Sequence, residues 1–332
     1  MMIELQYLIF TVIILALIFD FINGFHDTAN AIATSVNTRA LKPNHAIILA
    51  SVMNFVGAMV STGVAKTIGV GIVSSPAIIN ERILIAALIG AITWNLLTWW
   101  FGIPSSSSHA LIGGLVGAVL ISVGTNGLNW GGVGKIFVGL VASPAVAFVT
   151  GIIIMNIIFR LFDRFSPHFI NDKFRKMQVV SAAMIAFSNG SNDAQKSMGI
   201  ITLALFSGGF IAAFEVPMYV KVMCATAMAI GTMSGGWRII KTVGGKIFKL
   251  EPPSGFAADL NSSCVVFGAT LLHLPVSTTH VVSGSIMGVG TAKRVNAVRW
   301  GVAQQMVKAW CMTIPITAAI GATAFVLVEA IF

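Results

Sequence analysis

The sequence predicts an all-α polytopic membrane protein with two inverted-topology repeats, each with about three or four spanning helices and a re-entrant helical hairpin. Three observations predict it. Hydrophobic residues make up 56% of the 332 residues and charged residues only 9%, with a mean hydropathy of +0.91; a soluble chain carries roughly a quarter charged residues. Two polar patterns each occur twice. Asn23-Gly24-Phe25-His26-Asp27 is echoed by Asn189-Gly190-Ser191-Asn192-Asp193, and Pro104-Ser105-Ser106-Ser107-Ser108-His109 by Pro275-Val276-Ser277-Thr278-Thr279-His280. The shifts, 166 residues from Asp27 to Asp193 and 171 from His109 to His280, are close to half the chain. Lastly, fourteen of the twenty Lys and Arg residues fall in loops at 39–42, 160–176, 238–249 and 293–299, whereas the alternate loops hold only Lys66, Arg82 and Lys135.

The apolar runs are continuous, without the alternation of a membrane barrel, so each is read as a helix. The first run, Leu5 to Phe19, lacks a basic leader and a small-residue cleavage site, and so reads as a retained span. A helix from about Leu5 to Phe21 is expected to break at Asn23-Gly24 and resume through Asp27 to Thr38, because one straight helix of that length exceeds the bilayer. Further spans are expected at Asn44 to Ala65, Arg82 to Phe101 and Lys135 to Phe159, with a Gly-rich helix from the serine run to Gly124. The charged stretch between divides the chain into a first transmembrane repeat (1–160), a cytoplasmic linker (161–176) and a second repeat (177–332). The second half repeats the order: a broken helix around Asp193, a span from Met218 to Met233, a basic loop, Gly255 to Leu274, the second tip, and a last helix from about Ala297 to Val328.

Placing the rich basic loops in the cytoplasm puts both termini outside. Each half then crosses an odd number of times, so the halves have opposite orientation. The net charge of +9 follows from those loops and implies no nucleic-acid partner; the expected location is the inner (plasma) membrane. Cys224, Cys264 and Cys311 lie far apart in apolar segments without metal-ligand spacing and read as buried small hydrophobes.

An ionised carboxylate inside a membrane is costly and usually faces a cavity or a partner. Asp27 and Asp193 meet this condition at matched positions, surrounded by Asn23, Asn30, Asn189 and Asn192. A structural carboxylate that locks two helices is the plainer reading, less natural for a repeated pair. Carboxylate and amide oxygens form a shell suited to a hard cation such as sodium. The two hydroxyl tips are the complement. Ser105 to Ser108 and Ser277, Thr278 and Thr279 stand just before helix starts, where hydroxyls, free N–H groups and the helix dipole favour an anion. Ordinary N-capping is the plainer reading of a single tip. Gly113, Gly117, Gly284 and Gly288, spaced by four, allow close helix packing.

His109 and His280 end the tips and either donate to an anion or fix the tip; a proton-carrying role stays open. Lys196, three residues after Asp193, either neutralises it or reaches the anion. Asn30 holds the equivalent place in the first half, which breaks the symmetry. Asp20, Glu215, Asp259, Lys221 and Lys308 have no repeat-related twin and read as interfacial or structural.

At these motifs the chain resembles the inorganic phosphate transporter family in its bacterial form. The matching pieces are Gly24-Phe25-His26-Asp27-Thr28-Ala29-Asn30-Ala31 with Thr34-Ser35-Val36, the tip Pro104 to His109, Asn192-Asp193-Ala194-Gln195-Lys196 with Met198-Gly199, and Pro275 to His280. The resemblance implies phosphate as substrate, symport with sodium or protons, inverted repeats with hairpins, and a homodimer. It also implies that Asp27, Asn30, Asp193 and the tips form the ion and phosphate site, with His26 as a possible auxiliary.

On this reading phosphate is held by the tips with Gln195 alongside, and sodium sits at Asp27, Asn30 and Asp193. Two carboxylates repel an incoming dianion unless cations lie between them, so cation and anion require each other. No cofactor is expected; sodium is a co-substrate, with protons as the alternative. Sulfate or a metal–phosphate complex is a further alternative cargo. A hydrolase built on a serine of 105–108 with His109 is disfavoured, because an enzyme needs one nucleophile and not two matched ones.

Overall fold

The structure, a computed structural model, describes residues 2–75, 78–235, 240 and 247–331. Most of the basic loop expected at 238–249 lies outside the described residues. The described residues form eleven α-helices: α1 (Met2–Asn37), α2 (Pro43–Ala58), α3 (Gly63–Gly71), α4 (Glu81–Trp100), α5 (Ser107–Ser122), α6 (Trp130–Phe162), α7 (Pro167–Ser207), α8 (Met218–Ser234), α9 (Pro252–Leu271), α10 (Thr278–Lys293) and α11 (Trp300–Ile331). The order repeats. α1, α2, α4, α5 and α6 correspond to α7, α8, α9, α10 and α11, down to a 3-10 turn before the last helix of each half (Thr125–Gly127 and Val295–Ala297). Even the interior prolines of α6 and α11, Pro144 and Pro315, keep the 171-residue shift.

Four helices, α1, α4, α6 and α11, are long and apolar enough to cross a membrane, or five spans if the bent pair α2–α3 counts as one. Large apolar side chains stand on the outside of these helices, for example Phe137, Val141, Val149 and Ile153 along α6, as lipid contact requires. This is an integral membrane protein.

Three expectations are corrected. α1 and α7 are each one unbroken helix, of 36 and 41 residues; at 1.5 Å per residue α1 is about 54 Å long. Asn23-Gly24 marks a helix crossing and not a break. A Cβ on Gly24 would press on the backbone of Met228, Gly231 and Thr232 in α8, and one on Gly231 would meet Phe21 in α1. Gly190 of α7 and Gly57 of α2 make the equivalent crossing, against Asn54 and Phe187. The span expected over Asn44 to Ala65 bends by 68° between α2 and α3. Of the stretch expected as a linker, 161–176, the start carries the end of α6 (to Phe162) and the rest the beginning of α7 (from Pro167). Of the cysteines, Cys224 is buried but Cys264 and Cys311 are exposed; they lie on the outside of the bundle, where apolar surroundings suit a thiol equally well.

The halves interlock. α5 of the first half packs on α11 of the second, with Gly113 and Gly117 against Ile314, Thr317 and Ala318. α10 packs on α6 in the same way, with Gly284 and Gly288 against Pro144 and Phe148. Two large apolar clusters result, beside a small one of Ala147, Val266, Val276 and Val281. One gathers Leu8, Phe19, Ile68, Leu111 and Leu203, the other Ile32, Phe174, Ile185, Ile286 and Met306. The polar residues of α1 and α7 fall at the junction between the clusters, so a buried polar belt crosses an otherwise apolar interior.

Candidate functional site

Each tip starts a helix by capping it. Ser106 accepts from the His109 backbone N–H at 3.1 Å, and Ser277 from that of His280 at 3.3 Å. The capping expected as the plainer reading is therefore present, but it uses only one hydroxyl per tip. The others reach outward. Ser105 pairs with Thr98 at 2.7 Å, Ser107 donates to Asn23 Oδ1 at 2.6 Å, and Ser108 donates to the Val276 carbonyl of the opposite tip at 2.7 Å. The tips thus touch, and their histidines lie side by side with ring centres 4.5 Å apart. His280 stacks on Trp310 at 4.0 Å, while His109 Nδ1 lies 2.7 Å from Ser106 Oγ.

The second tip rests on the first-half aspartate. Asp27 accepts from Asn30 at 2.7 Å, from Thr279 at 3.1 Å and from Thr278 at 3.4 Å; Asn30 also donates to Thr279 at 2.9 Å. Asp193 lies in the same belt, close enough to act electrostatically on Asp27. Asp193 in turn is ion-paired through Oδ1 with Lys196, both side chains being wholly buried. Lys196 is thus seated on Asp193 within the belt. The same ammonium acts electrostatically on Asp27, His109 and Asp20.

Asp20 is the residue that the sequence reading missed. It is fully buried, accepts from Ser197 at 2.7 Å and interacts with Asp193 and Lys196. Its signal was the spacing: Asp20 precedes Asp27 by seven residues, two turns on one helix face. The expected break at Asn23-Gly24 hid that relation. Asp259 is also buried, not interfacial, and accepts from Thr34 at 2.6 Å and Ser181 at 3.3 Å. Asn95, buried on α4 with neither amide atom paired, joins the belt as well.

Gln195 is placed elsewhere. Its carbonyl accepts from Val64 and Ala65 N–H at 2.8 and 3.2 Å, and its amide donates to the Ser191 carbonyl at 2.5 Å. The side chain caps α3 with its carbonyl and holds the Ser191 carbonyl with one amide N–H. Asn192 is spent similarly: it donates to Thr270 at 3.0 Å and the Leu274 carbonyl at 3.2 Å and accepts from Val276 N–H at 3.3 Å, which pins the second tip. His26 lies 3.5 Å from Thr98 and helps to hold the first tip. Asn23 Nδ2, Asn30 Oδ1, Asp193 Oδ2 and both amide atoms of Asn189 are buried without a protein partner. Buried polar groups are normally satisfied, so this concentration makes the belt the candidate site for a polar ligand. Among the described residues no group of three or more His, Cys, Asp or Glu suits a metal ion.

A sealed polar belt between two interlocked, repeated halves of a membrane protein defines a transporter that binds a charged solute internally. Comparison with known proteins gives the family. A profile of the phosphate transporter family matches residues 23–172 and again 163–321, and the chain belongs to that family, whose substrate is inorganic phosphate. A probable low-affinity inorganic phosphate transporter of Bacillus subtilis (strain 168) is 54% identical over 323 residues, 97% of each chain. A protein of the same description from Rhizobium meliloti (strain 1021) is 48% identical over 94% of each. A solved structure described as the sodium-dependent phosphate transporter is similar with a TM-score of 0.90 at 25% identity, covering 98% of this chain and all of that one. These relatives are transporters and not enzymes, which removes the hydrolase alternative.

Proposed function

We propose that the chain is a secondary active symporter of inorganic phosphate driven by a cation gradient, with sodium as the coupling ion and alternating access as the mechanism. The observation that carries this reading is the contact of Asp27 with the second hydroxyl tip and of that tip with the first, beside the buried Asp193–Lys196 pair. Phosphate binds to the tips, through Ser107, Ser108, Thr278 and Thr279 and the N–H groups of the first turns of α5 and α10. The cation binds at Asp27 with the unpartnered oxygens of Asn30 and Asp193, an all-oxygen set that suits sodium.

Charge supplies the coupling. Asp20, Asp27 and Asp193 offer three carboxylates to the single ammonium of Lys196. Unit charges about 4 Å apart interact by roughly 4 kcal/mol even at an effective dielectric of 20. A phosphate anion therefore enters this belt only in company with a mobile cation, and the cation is held best with phosphate present. The halves adopt inverted orientations with both termini outside the cytoplasm, and the protein assembles as a homodimer in the plasma membrane. Because α5 packs on α11 and α10 on α6, the bodies that rock are mixed from both halves, and the sequence repeats (1–160 and 177–332) do not move as units.

Labelled phosphate uptake into proteoliposomes, with sodium and pH gradients imposed separately, tests the reading. Uptake driven by the sodium gradient alone is the expected result. Uptake that follows only the pH gradient assigns the coupling to protons, for which the paired tip histidines are the structural argument. No gradient-driven uptake overturns symport.

A further inference from the structure

A large cavity among the described residues lies apart from the polar belt. It measures about 970 Å³ and lies between α3, the start of α6, the segment before α8 and the residues leading into the second tip. Its lining concentrates positive charge: Lys66, Lys135 and Lys221 against one acid, Glu215, with the imidazole of His273 beside them. Lys66 and Lys135 are two of the three basic residues in loops otherwise poor in them; the third, Arg82, faces Glu4 at 3.6 Å. None of the three lysines takes part in an ion pair among the described residues. Lysines that scatter over a surface for solubility do not converge on one concavity.

The cavity wall is built and not incidental. Thr67 of α3 donates to the His273 carbonyl at 2.8 Å, and His273 holds a left-handed backbone with φ of 57°. Gly63 lies against the His273 ring, where a side chain would not fit. Gln195, one residue before Lys196, caps α3 through Val64 and Ala65. The floor at Leu274 is tied through its carbonyl to Asn192, the neighbour of Asp193. Through these bonds α3 and Leu274, both in the wall of the basic cavity, are tied to Gln195 and Asn192, the residues that flank Asp193 and Lys196 on α7.

We propose that this cavity is an oxyanion-collecting vestibule, a second phosphate site from which inorganic phosphate passes to the hydroxyl tips. The inference rests on the phosphate-transport reading and extends it to the approach path. Clefts lined by one sign of charge raise the local concentration of a counter-charged substrate and its on-rate by 10- to 1,000-fold. Exposed lysines at the rim, such as Lys66 and Lys135, act at the low end of that range. The same oxyanion chemistry occurs in lipid headgroups, so the test must separate the two sources.

The experiment measures phosphate uptake against phosphate concentration in proteoliposomes for the wild type, the triple variant K66Q/K135Q/K221Q and the single variant K135Q. In vesicles of phosphatidylcholine at low ionic strength, the triple variant is expected to lose about tenfold in kcat/KM and the single variant about twofold. The loss lies in KM, and saturating phosphate recovers most of the rate. High salt shrinks the difference, because the Debye length falls from about 30 Å at 0.01 M to about 8 Å at 0.15 M. The single variant keeps the proposal testable if the triple one fails to fold. An unchanged KM and salt profile in a folded variant overturns the vestibule, as does an effect seen only when phosphatidylglycerol is added, which assigns the lysines to lipid. Absence of uptake by the wild type counts instead against the transport reading, so the two failures are distinguishable.

Discussion

Asp27 and Asp193 occupy repeat-related places on α1 and α7, yet their surroundings treat the charge differently. Asp27 accepts only from neutral groups: the amide of Asn30 and the hydroxyls of Thr278 and Thr279. Asp193 is paired with a buried ammonium, because Lys196 stands where the first half has Asn30. Neutral donors stabilise a carboxylate without cancelling its charge, whereas an ammonium does both. The backbone is duplicated and the electrostatics are not. On the proposed symport reading, one aspartate offers its charge to a mobile cation, while the other is paired with a cation on the chain.

The largest test of this difference is Asp27→Asn. Removing the unneutralised charge is expected to lower coupled phosphate uptake on the order of 100-fold, since an interaction of about 3–4 kcal/mol is lost. Cation affinity should fall with it, measured by the sodium dependence of uptake. Coupled uptake at the wild-type level would show that the charge of Asp27 is not what links the two solutes.

Lys196→Asn makes the two halves alike at this position. It leaves Asp193 buried without its counter-charge, and breaking a buried pair costs about 3–5 kcal/mol. The single variant should therefore unfold at lower temperature, and the double variant Asp193→Asn/Lys196→Asn should regain part of that loss. In whatever fraction folds, phosphate uptake should require one more cation per phosphate, read as a steeper sodium dependence. Lys196→Arg, which keeps the charge, should keep the wild-type steepness. Equal steepness in the asparagine variant would break the comparison between the halves.

What was legible in the sequence was local or repeated. The hydroxyl runs announce helix starts because Ser and Thr cap helices, and the glycines four apart announce close crossings. Both features lie within a few residues and need no knowledge of partners. Which helices cross is a long-range fact, and the readings that failed all depend on it. Asn23-Gly24 resembles a break until α8 is seen against Gly24. Gln195 looks like a free amide until α3 is seen folded back on it. Once α1 is read as broken, the two-turn spacing of Asp20 and Asp27 has no meaning, and Asp20, read as interfacial or structural, is not connected with the belt in which it is buried.

The smallest test compares the tips. Thr279 donates to the Asp27 carboxylate and accepts from Asn30, while its repeat mate Ser108 donates to a neutral carbonyl across the tip interface. Hydrogen bonds to charged groups contribute about 1.5–3 kcal/mol, against about 1 kcal/mol for neutral ones. Thr279→Val preserves shape and removes the hydroxyl, so it should lower uptake by roughly ten- to a hundredfold. Ser108→Ala should cost roughly fivefold or less. The ranking matters more than either value, because it follows from which tip touches the unneutralised aspartate. If Ser108→Ala proved the more damaging in the uptake assay, the first tip would carry more of the anion than its mate, and the asymmetry of charge would not extend to the hydroxyls.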